Sequence, residues 1–175
     1  MSLFDRLVRR LAALGVAAAA LALLASLVLI VYSVVMRYLL GQPAPWVDEL
    51  VGYLLVACVM LAAADALLEG EHLAVDLVTE RLPPRGKRLT LLFGLVAVGL
   101  SALLLAVEGS DMVAFSRRVG LMSNGYMAVP MWVPQLLVPI GAVVMLLAAA
   151  AAFAAAARDD IAHTGKPQHP PTGIE

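Results

Sequence analysis

The sequence predicts an all-α integral membrane protein with four transmembrane helices, and three observations carry this prediction. Hydrophobic residues make up 62% and charged residues 14% of the 175 residues, whereas soluble domains contain roughly 45–50% apolar and 25% charged residues. Four apolar runs are each long enough to cross the roughly 30 Å hydrocarbon core of a bilayer. Short segments rich in proline, glycine or charge separate these runs, which are residues 11–36, 47–68, 89–107 and 131–157.

The first run follows a basic N-terminus with Arg6, Arg9 and Arg10, which imitates the start of a secretory signal peptide. The run has 26 uncharged residues, more than the roughly 7–15 of a signal peptide's apolar region. We therefore expect a retained helix over 11–36. The sequence Gln-Pro-Ala-Pro at 42–45 then forms an extended link, because proline disfavours α conformation in the residue before it.

The second run opens with Trp46, Asp48 and Glu49. Tryptophan is typical of the membrane–water interface, and acids in a first helical turn are stabilised by the helix dipole. Asp65 is the only charge in this run after Glu49, but it follows Trp46 by 19 residues, or about 28 Å of helix. We therefore interpret Asp65 as a residue of the opposite interface, with contact to a partner subunit as the alternative.

A shorter amphipathic segment occupies residues 72–82. On a helical wheel His72, Asp76, Thr79 and Glu80 share one narrow face, and apolar residues cover the rest. This pattern predicts a helix that lies in the plane of the interface. His72 and Asp76 lie one turn apart, but two side chains make an incomplete metal site. A polar stripe that has a structural role or contacts a partner is therefore the favoured interpretation.

The third run contains glycine and serine, small residues suited to close helix packing. Two acids after it lead into a loop with the turn dipeptide Asn124-Gly125. The fourth run opens with Trp132 at the interface, and Pro139 is expected to kink it. Residues 1–157 thus form one membrane domain, and the proline-rich residues 158–175 are expected to be a disordered tail.

This order of features resembles the small membrane subunit of the tripartite ATP-independent periplasmic (TRAP) transporters. In that family a tryptophan followed by acids opens the second transmembrane helix, as Trp46, Asp48 and Glu49 do here. A Gly-x-His-x-x-Val-Asp pattern follows, here Gly70, His72, Val75 and Asp76. The family's fourth helix opens with Pro-x-Trp and Pro-x-Gly patterns, which correspond here to Pro130, Trp132, Pro139 and Gly141. The resemblance covers roughly residues 5–157.

The resemblance implies a scaffolding subunit rather than a carrier. In such a transporter a larger multi-spanning subunit carries the substrate and sodium, and a soluble periplasmic protein captures the substrate, an organic acid such as a dicarboxylate or a sialic acid. No catalytic residue, cofactor or metal is therefore expected in this chain, and sodium is expected in the large subunit. The candidates for partner contacts are Trp46, Asp48, Glu49, His72, Asp76, Pro130 and Trp132.

Basic residues indicate the orientation in the membrane. If the four runs are crossings, the side that holds both termini carries nine lysines and arginines, and the other side carries three. Cytoplasmic segments carry the excess of positive charge. We therefore expect both termini in the cytoplasm, with Trp46 and Trp132 on the periplasmic side of a bacterial inner membrane.

Other functional classes fit the sequence less well. Cys58 is the only cysteine, so no intramolecular disulfide and no cysteine-based metal cluster can form. The apolar runs contain serines but no histidine for an intramembrane hydrolase, and an independent carrier would place ionisable groups near the midplane. No feature indicates nucleic-acid binding. The alternatives are an accessory or assembly subunit of another membrane complex and, less favoured, an intramembrane enzyme.

Overall fold

The computed structural model describes residues 3–69 and 84–157. Its helices are α1 (Leu3–Tyr38), α2 (Pro45–Glu69), α3 (Pro84–Val119), α4 (Trp132–Gln135) and α5 (Leu137–Ala157). Four helical stretches are long and apolar enough to cross a membrane, namely Asp5–Tyr38, Pro45–Glu69, Leu89–Val119 and Trp132–Ala156. The predicted all-helical fold with four membrane-spanning helices is thus confirmed. The amphipathic helix predicted over 72–82, with His72 and Asp76, and the tail at 158–175 lie outside the described residues.

The third helix does not end at residue 107, where the apolar run ends, but continues to Val119. Charged residues from Glu108 onward end the apolar run but not the helix, because the following turns contain no proline to break it. The helix ends where Gly120 adopts a φ of 66°, a conformation that favours glycine. The amide of Leu121 there donates to the Ser116 carbonyl at 2.9 Å, which closes the last turn as in a Schellman motif.

The fourth membrane-spanning stretch is interrupted at Leu136, between α4 and α5. Pro139, three residues after Leu136, causes this interruption. Pro139 has no backbone N–H to donate to the carbonyl of Gln135, and its ring crowds that carbonyl. The expected distortion by Pro139 therefore falls one turn before the proline.

The described helices pack in the order α1, α2, α5, α3, with the most extensive contacts between neighbours in that series. Glycines allow both neighbours of α2 to approach it closely. A Cβ at Gly15 of α1 would lie 2.5 Å from the Leu61 carbonyl oxygen, and a Cβ at Gly141 of α5 would lie 2.5 Å from that of Met60. Small residues at helix contacts are typical of membrane proteins, where packing rather than water drives association.

The core is built mostly from alanine and lies toward the end of the bundle that contains the N-terminus. Its buried members come from all four long helices and are Val8, Ala12, Ala64, Leu67, Leu95, Ala148, Ala149, Ala151 and Ala156. Large apolar side chains instead point outward from α1 and α3. A soluble protein would not expose so many of them, whereas a membrane protein presents such side chains to lipid or to a partner.

Candidate functional site around Glu49

The candidate site lies at the end of the bundle where α1 leads into α2 and α3 leads into α4. We call this end, with its connecting residues 39–44 and 120–131, the loop end. Helix α2 begins there at Pro45, a residue that suits a first helical position because its missing N–H is not needed. Trp46 and Asp48 therefore fall in the first turn of α2, followed directly by Glu49.

The carboxylate of Glu49 joins the start of α2 to the loop after α3. It accepts hydrogen bonds from the Tyr53 hydroxyl at 2.8 Å and from the Met127 amide at 3.2 Å. The Ser123 hydroxyl donates to the same carboxylate. We call Glu49, Tyr53, Ser123 and Met127 the Glu49 cluster. Its members are separated by up to 78 residues in the chain, so the cluster is a tertiary contact that fixes the loop on the helix.

The loop itself has a defined fold. Residues Met122 and Pro130 form an antiparallel bridge, and the Ser123 amide donates to the Val129 carbonyl at 2.8 Å. Gly125 lies against Glu49, and a Cβ at this position would overlap the carboxylate. The Asn124-Gly125 turn expected from the sequence therefore serves a specific purpose, because glycine leaves room for the acid.

The Asp48 side chain is not part of the Glu49 cluster. Its carboxylate lies 3.9 Å from the Arg37 guanidinium at the end of α1, and the two side chains are 71% and 50% exposed. An exposed pair of this kind contributes about 0–1 kcal/mol. Near it the rings of Tyr32 and Trp46 pack at a centroid distance of 6.2 Å. These contacts hold the end of α1 against the start of α2.

Trp132 forms a second aromatic contact at the loop end. The Arg117 guanidinium lies 5.7 Å from the centre of the Trp132 ring, within the range of a cation–π interaction. This contact joins the last turn of α3 to the first residue of α4. Both tryptophans of the chain therefore lie at the same end of the bundle.

The structure brings together five of the residues that the sequence nominated as partner contacts, namely Trp46, Asp48, Glu49, Pro130 and Trp132. His72 and Asp76 lie outside the described residues. Sequence reasoning left open whether an acid pairs with Arg37 or Arg117 within the chain. In the structure Asp48 lies near Arg37, and Glu49 is bound by neutral donors.

Sequence reasoning did not find the donors to Glu49. The contact of Tyr53 with Glu49 could have been predicted from the sequence, because Tyr53 lies four residues after Glu49 and residues at that spacing share a helix face. The contacts of Ser123 and Met127 could not, since a hydroxyl and a backbone amide more than 70 residues away match no motif.

Groups that could hold a metal or activate a nucleophile are few among the described residues. No group of three or more metal-ligating side chains occurs in the described ranges. The Ser26 hydroxyl, buried in α1, donates to the Ala22 carbonyl at 2.8 Å and so has no base to activate it. The cleft between Arg37 and Asp48 holds about 120 Å³, and an open hollow of about 480 Å³ lies beside Arg117 and Arg118 of α3. Typical small-molecule pockets hold roughly 300–1,000 Å³.

Comparison with known families gives one match. The sequence model of the family described as the DctQ component of tripartite ATP-independent periplasmic transporters matches residues 26–159. The matched region is 134 of 175 residues and includes α2, α3, α4 and α5 together with the Glu49 cluster. No curated protein matches the chain.

Proposed function

This chain belongs to the DctQ component family of the tripartite ATP-independent periplasmic transporters, and we propose that it anchors and enlarges the stationary part of a large, substrate-translocating subunit. Membership of the family makes it a small membrane subunit of a transporter. The observation that supports a scaffolding role is the distribution of its polar groups. The Glu49 carboxylate and its donors from the loop after α3 lie at the loop end, where they hold two separate segments of the chain together.

The proposed orientation puts both termini in the cytoplasm and the loop end in the periplasm of a bacterial inner membrane. The excess of basic residues on the side of the termini supports this orientation. The loop end then faces the compartment in which a substrate-binding protein diffuses. Proposed contacts on this side are Trp46, Asp48, Glu49, Pro130 and Trp132, and those on the cytoplasmic side are His72 and Asp76.

The substrate and the coupling ion belong to the partners in this proposal. A periplasmic binding protein delivers an organic acid with a carboxylate, and the large subunit moves it together with sodium. This chain holds no cofactor. The position of the one break in its four apolar stretches supports that division, because a carrier usually places broken helices at the membrane midplane, and the interruption at Leu136 lies near one helix end.

Reconstitution tests the proposal. Liposomes that contain this chain, the large subunit and the substrate-loaded binding protein are expected to take up organic acid when an inward sodium gradient is imposed. Liposomes with this chain alone are expected to take up none, and replacing sodium by potassium serves as the control for coupling. Uptake by this chain alone would contradict the scaffolding role and favour an independent carrier.

A further inference from the structure

The face of α3 that points away from α5 combines an apolar surface with two acids. Helix α3 packs on α5 through a stripe of buried residues at seven-residue spacing, namely Leu95, Ala102, Gly109 and Ser116. The opposite face of α3, which we call the outer face, carries the exposed side chains Phe93, Leu100, Leu104, Glu108, Asp111 and Phe115. Only 11% of the most apolar part of this membrane-spanning stretch is buried, the smallest fraction of the four.

The depth of the two acids follows from contacts between α3 and its neighbours. Gly109 lies against Val138 and Pro139, since a Cβ there would come within 3.2 Å of both side chains. Pro139 follows Trp132 by seven residues, or about 10 Å of helix. Glu108, next to Gly109, therefore lies about 10 Å from Trp132 toward the opposite end of the molecule.

The distance from Arg117 gives the same result for both acids. Glu108 and Asp111 precede Arg117, which stacks on Trp132, by nine and six residues, or about 14 and 9 Å. Tryptophan marks the membrane–water interface. Both acids therefore lie on the hydrocarbon side of the Trp132 ring.

Contact with lipid is unfavourable for the carboxylates of Glu108 and Asp111. A carboxylate within a transmembrane segment almost always faces protein or a water-filled cavity, because its transfer to hydrocarbon is costly. Among the described residues neither Glu108 nor Asp111 forms a salt bridge, and the sequence has no basic residue within one turn of either. The described part of this chain supplies no such cover, whereas a partner chain can.

We propose that the outer face of α3 is the docking surface for the large subunit, and that a lysine or arginine on a membrane helix of that subunit meets Glu108 and Asp111. This inference rests on the proposed function. The two acids select for a partner with a positive charge at their level, and Phe93 and Phe115 supply large apolar contacts on either side of them. A buried pair of opposite charges with apolar surroundings gives both register and specificity.

A second copy of this chain does not fit the same surface. Two copies inserted in the same orientation and related by a twofold axis would bring identical faces of α3 together. Asp111 would then meet Asp111, and like charges in an apolar interface repel each other. Charge complementarity therefore favours a different chain.

The outward face of α1 provides the contrast. Leu21, Leu24 and Val28 are exposed there to about the same degree as the apolar residues of the outer face. No charged residue occurs between Arg10 and Arg37. This surface is fully suited to lipid, so it serves as the matched control.

Photo-crosslinking from the two faces tests the assignment. A benzophenone amino acid replaces Leu104 on the outer face, which is 56% exposed, or Leu24 on α1, which is 60% exposed, and the chain is co-expressed with a tagged large subunit. Irradiation of the membranes is expected to link the Leu104 position to the large subunit and the Leu24 position to no protein. An adduct from Leu104 to a second copy of this chain, or equal adducts from both positions, would overturn the assignment.

The charges are tested in a second experiment. The double variant Glu108→Gln with Asp111→Asn is expected to raise the Kd for the large subunit in detergent about 100-fold or more, because it leaves a buried cation without its partner. Glu69→Gln, at the far end of α2, is the control and is expected to leave the Kd unchanged. An unchanged Kd in the double variant would show that the acids face water or lipid and would overturn the proposal.

Different results would contradict the proposed function and the docking surface on α3. If the unmodified chain does not copurify with the large subunit, both the proposed function and the assigned docking surface are wrong. If copurification is intact but the Leu104 position captures no protein, only the assignment of the outer face is wrong.

Discussion

Glu49 is an acid whose described hydrogen-bond partners are all neutral. A carboxylate has only acceptor oxygens, and the Tyr53 hydroxyl, the Ser123 hydroxyl and the Met127 amide all donate to it. The two hydroxyls can rotate to meet another group, but the backbone amide cannot. The identity of residue 49 therefore matters most for the segment around Met127.

We predict that Glu49→Gln loosens this loop. A glutamine side chain keeps one acceptor oxygen and replaces the other by a donor NH₂, so at least one of the three donors loses its acceptor. The expected result is faster hydrogen exchange at the Met127 amide, measured by mass spectrometry on the protein in detergent.

Asp48→Asn is the matched control, because the contact of Asp48 within the described ranges is the exposed one to Arg37. Its exchange at Met127 is expected to equal that of the unmodified protein. Equal exchange in Glu49→Gln as well would show that the loop holds its conformation without the carboxylate.

At the scale of the element, α2 owes its position to two glycines on its neighbours. Gly15 and Gly141 bring α1 and α5 against consecutive carbonyls of α2, those of Leu61 and Met60. The sequence contains Gly141 within the Pro-x-Gly pattern, yet a pattern alone does not say why glycine stands there. The structure gives a steric reason, since a methyl group at this position would meet the backbone of α2.

We predict that Gly141→Ala destabilises the bundle. Its Cβ would lie 2.5 Å from the Met60 carbonyl oxygen and 2.8 Å from the Met60 Cβ, so α5 must move away from α2. Overpacking of this kind costs about 1–3 kcal/mol, which corresponds to a Tm lower by about 2–12 °C for a chain of this size. Thermal unfolding in detergent measures the change.

Gly52→Ala is the control on α2 itself, because nothing lies within 4 Å of a Cβ there. It replaces glycine by the best helix former, so its Tm is expected to stay the same or rise. A Tm for Gly141→Ala equal to that of Gly52→Ala would mean that the helices are not packed as closely as described.

At the scale of the whole molecule, the four long helices place their connecting segments on two sides. The loop end holds Arg37, Arg117 and Arg118, and the other nine basic residues lie in the opposite connections and termini. This imbalance supports the proposed orientation with both termini in the cytoplasm, and that orientation would determine which partner can reach each end.

We predict that accessibility to a membrane-impermeant thiol reagent reports this orientation. In a Cys58→Ser background, Arg118→Cys is expected to react in intact spheroplasts, because its position lies at the exposed last turn of α3. Lys87→Cys, in the first turn of the same helix, is expected to react only after the membrane is permeabilised. The reverse pattern would mean that the loop end is cytoplasmic.

The number of membrane-spanning helices could be predicted from the sequence, because a bilayer imposes a length and an apolar composition on each of them. The end of α3 could not be predicted in this way, because polar turns continue the helix to Val119. Trp46 and Glu49 could be nominated by residue type and position. Ser123 could not, because its role depends on how the loop end folds rather than on any local pattern.

The separation between Glu49 and its partners has a consequence for how the chain is made. Ser123 and Met127 follow Glu49 by 74 and 78 residues, and a ribosome that adds roughly 5–20 residues per second needs about 4–16 s to supply them. During that interval the segments of α1 and α2 have been synthesised, but the Glu49 carboxylate still lacks its donors from Ser123 and Met127. The loop end can close only after α3 has been synthesised, so a nascent chain halted before residue 123 cannot complete it.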